Sequence, residues 1–270
     1  MNKQLLLSIV FLTNINLFSQ STITEKAIYK AIYSITYLAD STDIYSDKSE
    51  KMLLYIGKKH TLFESVNNRY NNSIKKDYSN NTIQDLSKKY NSTSRDRKRT
   101  RFEYKIYTTL NKIKVIDFIF SDKYVYDEKV NLNWKISSEI KTINTYLCKK
   151  AVTFFSGRKY EAWFTEELPI NSGPYKFSGL PGLIVKIQDT KNNYIFELLS
   201  FEKTNDNFVL NNKGATKTTK KDFFRAYSDF KENIGYQLSL RGFEMDEVNK
   251  RKVQENIKRN RNNMIEIKIN

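Results

Sequence analysis

The residues that could do chemistry are few and scattered. His60 is the single histidine, in Lys58-Lys59-His60-Thr61, and Cys148 is the single cysteine, in Tyr146-Leu147-Cys148. One of each cannot furnish the ligand set of an ordinary zinc or copper site, so no metal and no cofactor are expected. A Cys–His nucleophilic pair needs folding to join the two; the apolar neighbours of Cys148 favour a buried, inert thiol. No Gly-x-Ser-x-Gly elbow, Walker-type loop or Gly-x-Gly-x-x-Gly fingerprint occurs. Carboxylates such as Glu161, Glu166, Glu167 and Asp189 could form the two-acid arrangement of a glycosidase, but exposed charge at strand ends explains them better. The chain is therefore read as non-catalytic.

Charge gives the next constraint. Forty-six Lys and Arg face thirty Asp and Glu, a formal net charge of +16. Basic runs lie at 95–101, 250–252 and 258–261 and could meet phosphate or an anionic sugar. They have few aromatic neighbours for base stacking, so nucleic acid is not an expected partner. The richness in Asn, Lys, Ile and Tyr also fits compositional drift, which leaves the charge without a required role.

The elements that must position any site are mostly strands. From Lys26 to Asp40, Ala27, Tyr29, Ala31, Tyr33, Ile35 and Tyr37 alternate with a more polar series, the period of a half-buried strand. Further strand patterns fall at 52–56, 61–66, 102–108, 112–120, 123–127, 148–155, 160–165, 183–188 and 194–203. Short polar turns between most of them predict an antiparallel meander. Thr219 is placed to cap a helix through about 231 with Phe223, Phe224, Tyr227 and Phe230 on one stripe. A second, charge-rich helix is expected over 243–260, and a short one around 82–89. Residues 67–101 show little pattern and read as a mobile or inserted surface segment.

Residues 1–20 have the three parts of a secretory signal: Lys3, an apolar run over 5–17, then Ser19-Gln20-Ser21. The run is too short to span a bilayer, and no other segment is long and apolar enough, so the mature chain is expected to carry no transmembrane segment. Residues 21–270 are expected to form a single domain with its own core, 39% of the chain being hydrophobic.

All three prolines, Pro169, Pro174 and Pro181, sit close together, with Gly173, Gly179 and Gly182 among them. Such concentration marks a backbone that needs special conformations. Pro181-Gly182 fits the central positions of a type II turn, which would put Gly182 at positive φ. The segment Gly173-Pro174-Tyr175-Lys176-Phe177-Ser178-Gly179-Leu180-Pro181-Gly182-Leu183-Ile184 resembles the naming motif of the GLPGLI family of Bacteroidetes. Gly157-Arg158-Lys159-Tyr160-Glu161-Ala162-Trp163-Phe164-Thr165 is similar to that family's "GR-x-x-x-AW-[FY]-T" stretch, and Cys148-Lys149-Lys150-Ala151 to its "C-x-KA" approach. Asn262-Asn263-Met264-Ile265-Glu266-Ile267 resembles the family's "NNPIEL" ending, with Met264 in place of Pro. The resemblance implies an exported protein, in periplasm or cell exterior, with no established activity to carry over. Gly173, Pro174, Gly179, Leu180, Pro181, Gly182, Leu183 and Ile184 transfer as a structural motif. Arg158, Trp163, Tyr175 and Phe177 are the candidates for binding, since aromatic and Arg side chains dominate recognition surfaces.

The expected architecture is mainly β (α+β): one curved antiparallel sheet or half-barrel of about eight to ten strands, with C-terminal helices packed on it. The expected role is a non-catalytic envelope protein for an apolar or anionic ligand or a protein partner. A structural or accessory component of outer-membrane machinery and a carboxylate-dependent hydrolase are the alternatives.

Overall fold

A computed structural model describes residues 22–78, 96–109 and 112–268. The proposed signal over 1–20 and the helix expected at 82–89 lie outside them. Two antiparallel meanders make the large sheet. The first is β2 (Tyr29–Leu38), β3 (Asp47–Ile56), β4 (Thr61–Ser65), β5 (Lys105–Thr108), β6 (Ile113–Ile119) and β7 (Asp122–Glu128). The second is β8 (Lys135–Ile143), β9 (Tyr146–Phe155), β10 (Arg158–Thr165), β11 (Leu183–Asp189) and β12 (Tyr194–Lys203). They join where β12 pairs antiparallel with β2, Phe196 opposite Ile35. A two-residue strand, β14 (Thr216–Lys217), adds parallel to β7, so the twelve-stranded sheet is open and mixed, not purely antiparallel. It exceeds the expected strand number because β8, whose sequence is charged and mostly exposed, carries no clean alternation. A separate ribbon pairs β1 (Thr22–Lys26) with β13 (Asn207–Asn211).

Each wing buries its alternate residues. Ala31, Tyr33, Ile35 and Tyr37 join Met52, Leu54, Phe63, Tyr160, Val185 and Phe196 in the main core on the inner face. Ala27, expected in the same series, precedes β2 and lies instead in a second core on the outer face, where Leu53, Tyr55, Tyr107 and Val125 pack under Phe208 and Leu210 of the ribbon. Helix α1 (Val66–Tyr78) occupies residues expected to lack regular structure. Its Asn68 donates to the Glu103 carbonyl at 2.8 Å and its Asn71 to that of Lys98 at 2.8 Å, so side-chain bonds hold a helix that apolar periodicity does not announce. α2 (Lys220–Glu232) begins at the expected cap, the Thr219 hydroxyl accepting from the Asp222 amide, and places Phe223 against Tyr124 and Tyr126 of β7. α3 (Ile234–Ser239) and α4 (Glu247–Asn260) follow, α4 capped by Asp246.

The Pro/Gly segment crosses the inner face between β10 and β11. Tyr175, Phe177 and Leu180 are buried in the main core, and the Tyr33 hydroxyl donates to the Ile184 carbonyl at 2.8 Å. Gly182 does not take the left-handed conformation expected of a type II turn; positive φ occurs instead at Gly179 (+100°) and Tyr175 (+58°). Gly182 is needed for a different reason. A Cβ there would overlap the carbonyl oxygen of Thr165, so the chain can pass β10 only without a side chain.

Candidate functional site

The binding candidates read from the motif are mostly interior. Arg158 is 8% exposed and donates to Asp189 Oδ2 at 3.1 Å, Asn263 Oδ1 at 2.7 Å and the Met264 carbonyl at 2.6 Å. It fastens the C-terminal tail to the β10–β11 pair. Phe177 packs edge-on or tilted against Phe155, Tyr160 and Phe196. Tyr175 donates to Glu266 at 2.5 Å. Trp163 alone is on the outer face, half-buried, with cross-strand neighbours Lys150 and Lys186 in place of an apolar patch. Cys148 and His60 stay apart. Cys148 is on β9 and His60 precedes β4, with five strands between these two in the sheet. Burial pushes the Cys148 thiol up to about 11, and His60 contacts Glu25 at 2.5 Å. Of the acids noted in the sequence, Asp189 holds Arg158, Glu166 meets Lys149 at 2.8 Å, Glu161 lies 3.6 Å from Lys150, and Glu167 accepts from the Leu147 amide.

A cleft forms elsewhere, between the β5–β7 wing and the C-terminal helices. Its inner chamber, of about 130 Å³, is walled by Phe102, Tyr104, Tyr126, Phe223, Phe224 and Tyr227. An outer cavity of about 560 Å³ adjoins it and shares Glu103, Phe118, Tyr227 and Arg261 with it. α2 lays its aromatic stripe over β6 and β7, which closes one side. The tail after α4 closes another through Arg261, Met264 and Ile265.

Two kinds of charge line this cleft. Arg261 donates to the Tyr227 hydroxyl at 3.1 Å, and Lys231 stands 5.2 Å from the Tyr227 ring. Burial, and next the adjacent Arg261 guanidinium, hold Lys231 below its ordinary value. Among the described residues neither makes an ion pair, and the outer cavity, lined by Arg97, Lys231 and Arg261 against the one carboxylate Glu103, is net positive, with Glu103 favouring the Arg261 charge. Asp117 is the opposite case. It follows Ile113 and Val115 in the inward series of β6, where an apolar residue would be expected. Burial pushes it up to about 7, opposed by one hydrogen bond from the Phe118 amide and raised further by Glu103. Two carboxylates thus do share one cavity, though neither was singled out from sequence. The usable signal was the acid within the alternation of 113–119. The Tyr104 hydroxyl is buried without a partner among the described residues, an orphan of a kind that costs about 1–3 kcal/mol when no ligand or water meets it. No group of three or more His, Cys, Asp or Glu among the described residues is placed to hold a metal ion.

Two broader depressions, of about 1010 and 800 Å³, flank the Lys58–His60 turn. The carboxylate of the first, Glu25, is already taken by the Lys59 amide at 2.8 Å and by His60.

Fold and cleft define a mostly β protein with a large open sheet and a site under its C-terminal helices. Residues 155–186, which include β10 and the Pro/Gly segment, match the model of a family described as "Protein of unknown function (Porph_ging)". Among solved structures, "Structure of PNGF-II in P21 space group" is similar over 75% of this chain at 14% identity, with a TM-score of 0.51. "Structure of PNGF-II in C2 space group" is similar over 75% of this chain at 16% identity, with a TM-score of 0.48. This chain spans about a third of the length of those chains, 33% and 32%. The first likeness concerns the fold alone. No curated protein matches the chain. No helix among the described residues is long and apolar enough to cross a membrane.

Proposed function

We propose that this chain is an exported, GLPGLI-type binding protein of the Bacteroidetes envelope, and that its cleft takes an anionic ligand with an apolar body. One observation carries the reading: half-buried Lys231 and exposed Arg261 stand together, neither in an ion pair among the described residues, at the mouth of an aromatic chamber. Two like charges side by side repel each other, and Lys231 also loses hydration; an anion between them relieves both costs. The aromatic walls supply apolar area for the rest of the ligand.

The test uses 1-anilinonaphthalene-8-sulfonate, an anionic aromatic probe, with the folded full chain. Saturable one-to-one fluorescence enhancement is expected, weakened about tenfold or more by Lys231→Glu and unchanged by Lys150→Glu on the outer face. Absence of saturable binding, or equal loss in both variants, rejects the cleft as the site. The non-catalytic part of the reading expects no turnover of 4-nitrophenyl glycosides. Turnover that disappears in Asp117→Asn would replace it with the two-carboxylate hydrolase, which the shared cavity of Asp117 and Glu103 favours.

A further inference from the structure

The cleft has a polar inner end as well as a cationic mouth. Asp117 enters the inner chamber from β6, and Tyr104 enters it from the segment leading into β5. The only hydrogen bond to the Asp117 carboxyl among the described residues is the Phe118 amide on Oδ1, at 2.8 Å. Oδ2 has no donor among them. The Tyr104 hydroxyl is buried and unpartnered, its ring fixed 5.6 Å from those of Phe102 and Tyr175. Native interiors rarely leave a hydroxyl like that of Tyr104 unmet, and with the open Asp117 oxygen lining the same small chamber it points to an occupant that meets both. The chamber also limits what that occupant is. At about 130 Å³ it is close to the roughly 150 Å³ apolar cavity that holds a benzene ring, so it takes one ring, while a fused system such as naphthalene stays in the outer cavity of about 560 Å³. Its walls are ring edges and faces, and aromatic pairs favour edge-to-face and offset contacts.

We infer that the inner chamber binds the single ring of a hydroxylated aromatic acid, with the ring hydroxyl between Asp117 and Tyr104 and the acid group at Arg261 and Lys231. This rests on the cleft being a binding site and adds which end of the ligand goes in and what reads it. Both groups can donate or accept toward a phenolic hydroxyl: Tyr104 by rotating its hydrogen, Asp117 because burial keeps its proton near neutral pH. A site with polar groups built to meet a hydroxyl rejects the analogue lacking it, because those groups are then left unpaired in the interior. An apolar chamber without Asp117 and Tyr104 would show no such preference.

The probes are 4-hydroxyphenylacetate and phenylacetate, titrated calorimetrically into the full chain at pH 6. The hydroxylated acid is expected to bind about tenfold or more tightly than phenylacetate. Tyr104→Phe, which keeps the ring, and Asp117→Ala are each expected to shrink that preference to about twofold while phenylacetate affinity stays near its wild-type value. Near-UV circular dichroism identifies any variant that has lost its fold; Tyr104→Phe, nearly isosteric, is decisive if Asp117→Ala has. Equal affinity for the two acids, a preference that survives Tyr104→Phe, or failure of both acids to bind overturns the inference. If the naphthalene sulfonate still binds in any of those cases, the cleft reading stands and only the ring-hydroxyl assignment fails.

Discussion

At the residue scale, Asp117 has a consequence measurable without any ligand. Its carboxyl is pushed up to about 7 by burial, against an ordinary value near 4. Between those two pH values the folded chain keeps a proton that the unfolded chain has lost. Stability from this residue therefore falls as pH rises from about 4 to about 7, and is flat on either side. Asp117→Asn removes the ionisation at nearly the same size. Relative to wild type, the variant is expected to gain on the order of 2 kcal/mol in urea unfolding at pH 8 over its value at pH 4.5. A difference independent of pH would show that Asp117 is well solvated. The sequence offered this residue only faintly, as one acid in a run otherwise read as a strand at 112–120. Arg158, Tyr175 and Phe177 stood out more strongly through the motif, yet they lie inside, because a motif shows which side chains matter and not whether they face solvent. Gly182 shows the same limit: the need for glycine was legible, but its cause, the passing Thr165 carbonyl, is a contact between chain segments.

At the element scale, four segments meet in a ring of charge. Lys176 from the Pro/Gly segment lies 2.5 Å from Glu266 in the tail and also pairs with Glu128 at the end of β7. Lys220, at the start of α2, lies 2.8 Å from Glu128 and 2.6 Å from Glu266. Burial alone would raise the Glu266 carboxyl; the two ammonium groups outweigh it and hold it below the ordinary carboxylate range. Its contribution to stability is thus present above about pH 4 and lost as pH falls further. Glu266→Gln leaves two buried cations with one carboxylate, and breaking a buried pair in this way costs about 3–5 kcal/mol. Urea unfolding at pH 7 checks it, with Glu266→Gln expected to lose that amount and Lys176→Met/Glu266→Leu together less than the sum of the singles. Additive losses would mean that the two residues stabilise the chain independently. None of this ring was legible. Strands and α2 announce themselves by local period and by the Thr219 cap, whereas Glu128, Lys176, Lys220 and Glu266 come from distant segments, and although Lys176 and Glu266 fall within the motif stretches, nothing local pairs them.

At the scale of the whole molecule, the two meanders are held together by one seam. The fold class was readable because period-two burial repeats through β2, β9, β10 and β12, but nothing local says that β12 lies beside β2 and not beside another edge. The seam is long: β12 and β2 pair from Tyr194 opposite Tyr37 to Lys203 opposite Tyr29, with one bulge near Leu199. β2 in turn pairs with β3 over its full length, Tyr29 opposite Ile56 through Leu38 opposite Asp47. The inner side of this seam is covered by the Pro/Gly segment, and the outer side of β3 by the ribbon. β8 has neither advantage. It is an edge strand, exposed along nearly its whole length and displaced in register between Ile136 and Ile140. α4 buries no residue fully. Local opening is cheapest where few apolar contacts are lost. Hydrogen exchange on the native chain is therefore expected to leave the amides of β2, β3 and β12 as the slowest set, exchanging near the global unfolding free energy, with β8 and α4 several orders of magnitude faster. Were the two meanders independent folding units, the β2–β12 amides would exchange ahead of the interiors of both wings, and β9–β10 and β3–β4 would form two slow groups with different free energies. A single slow group centred on the seam is the outcome that the continuous core requires.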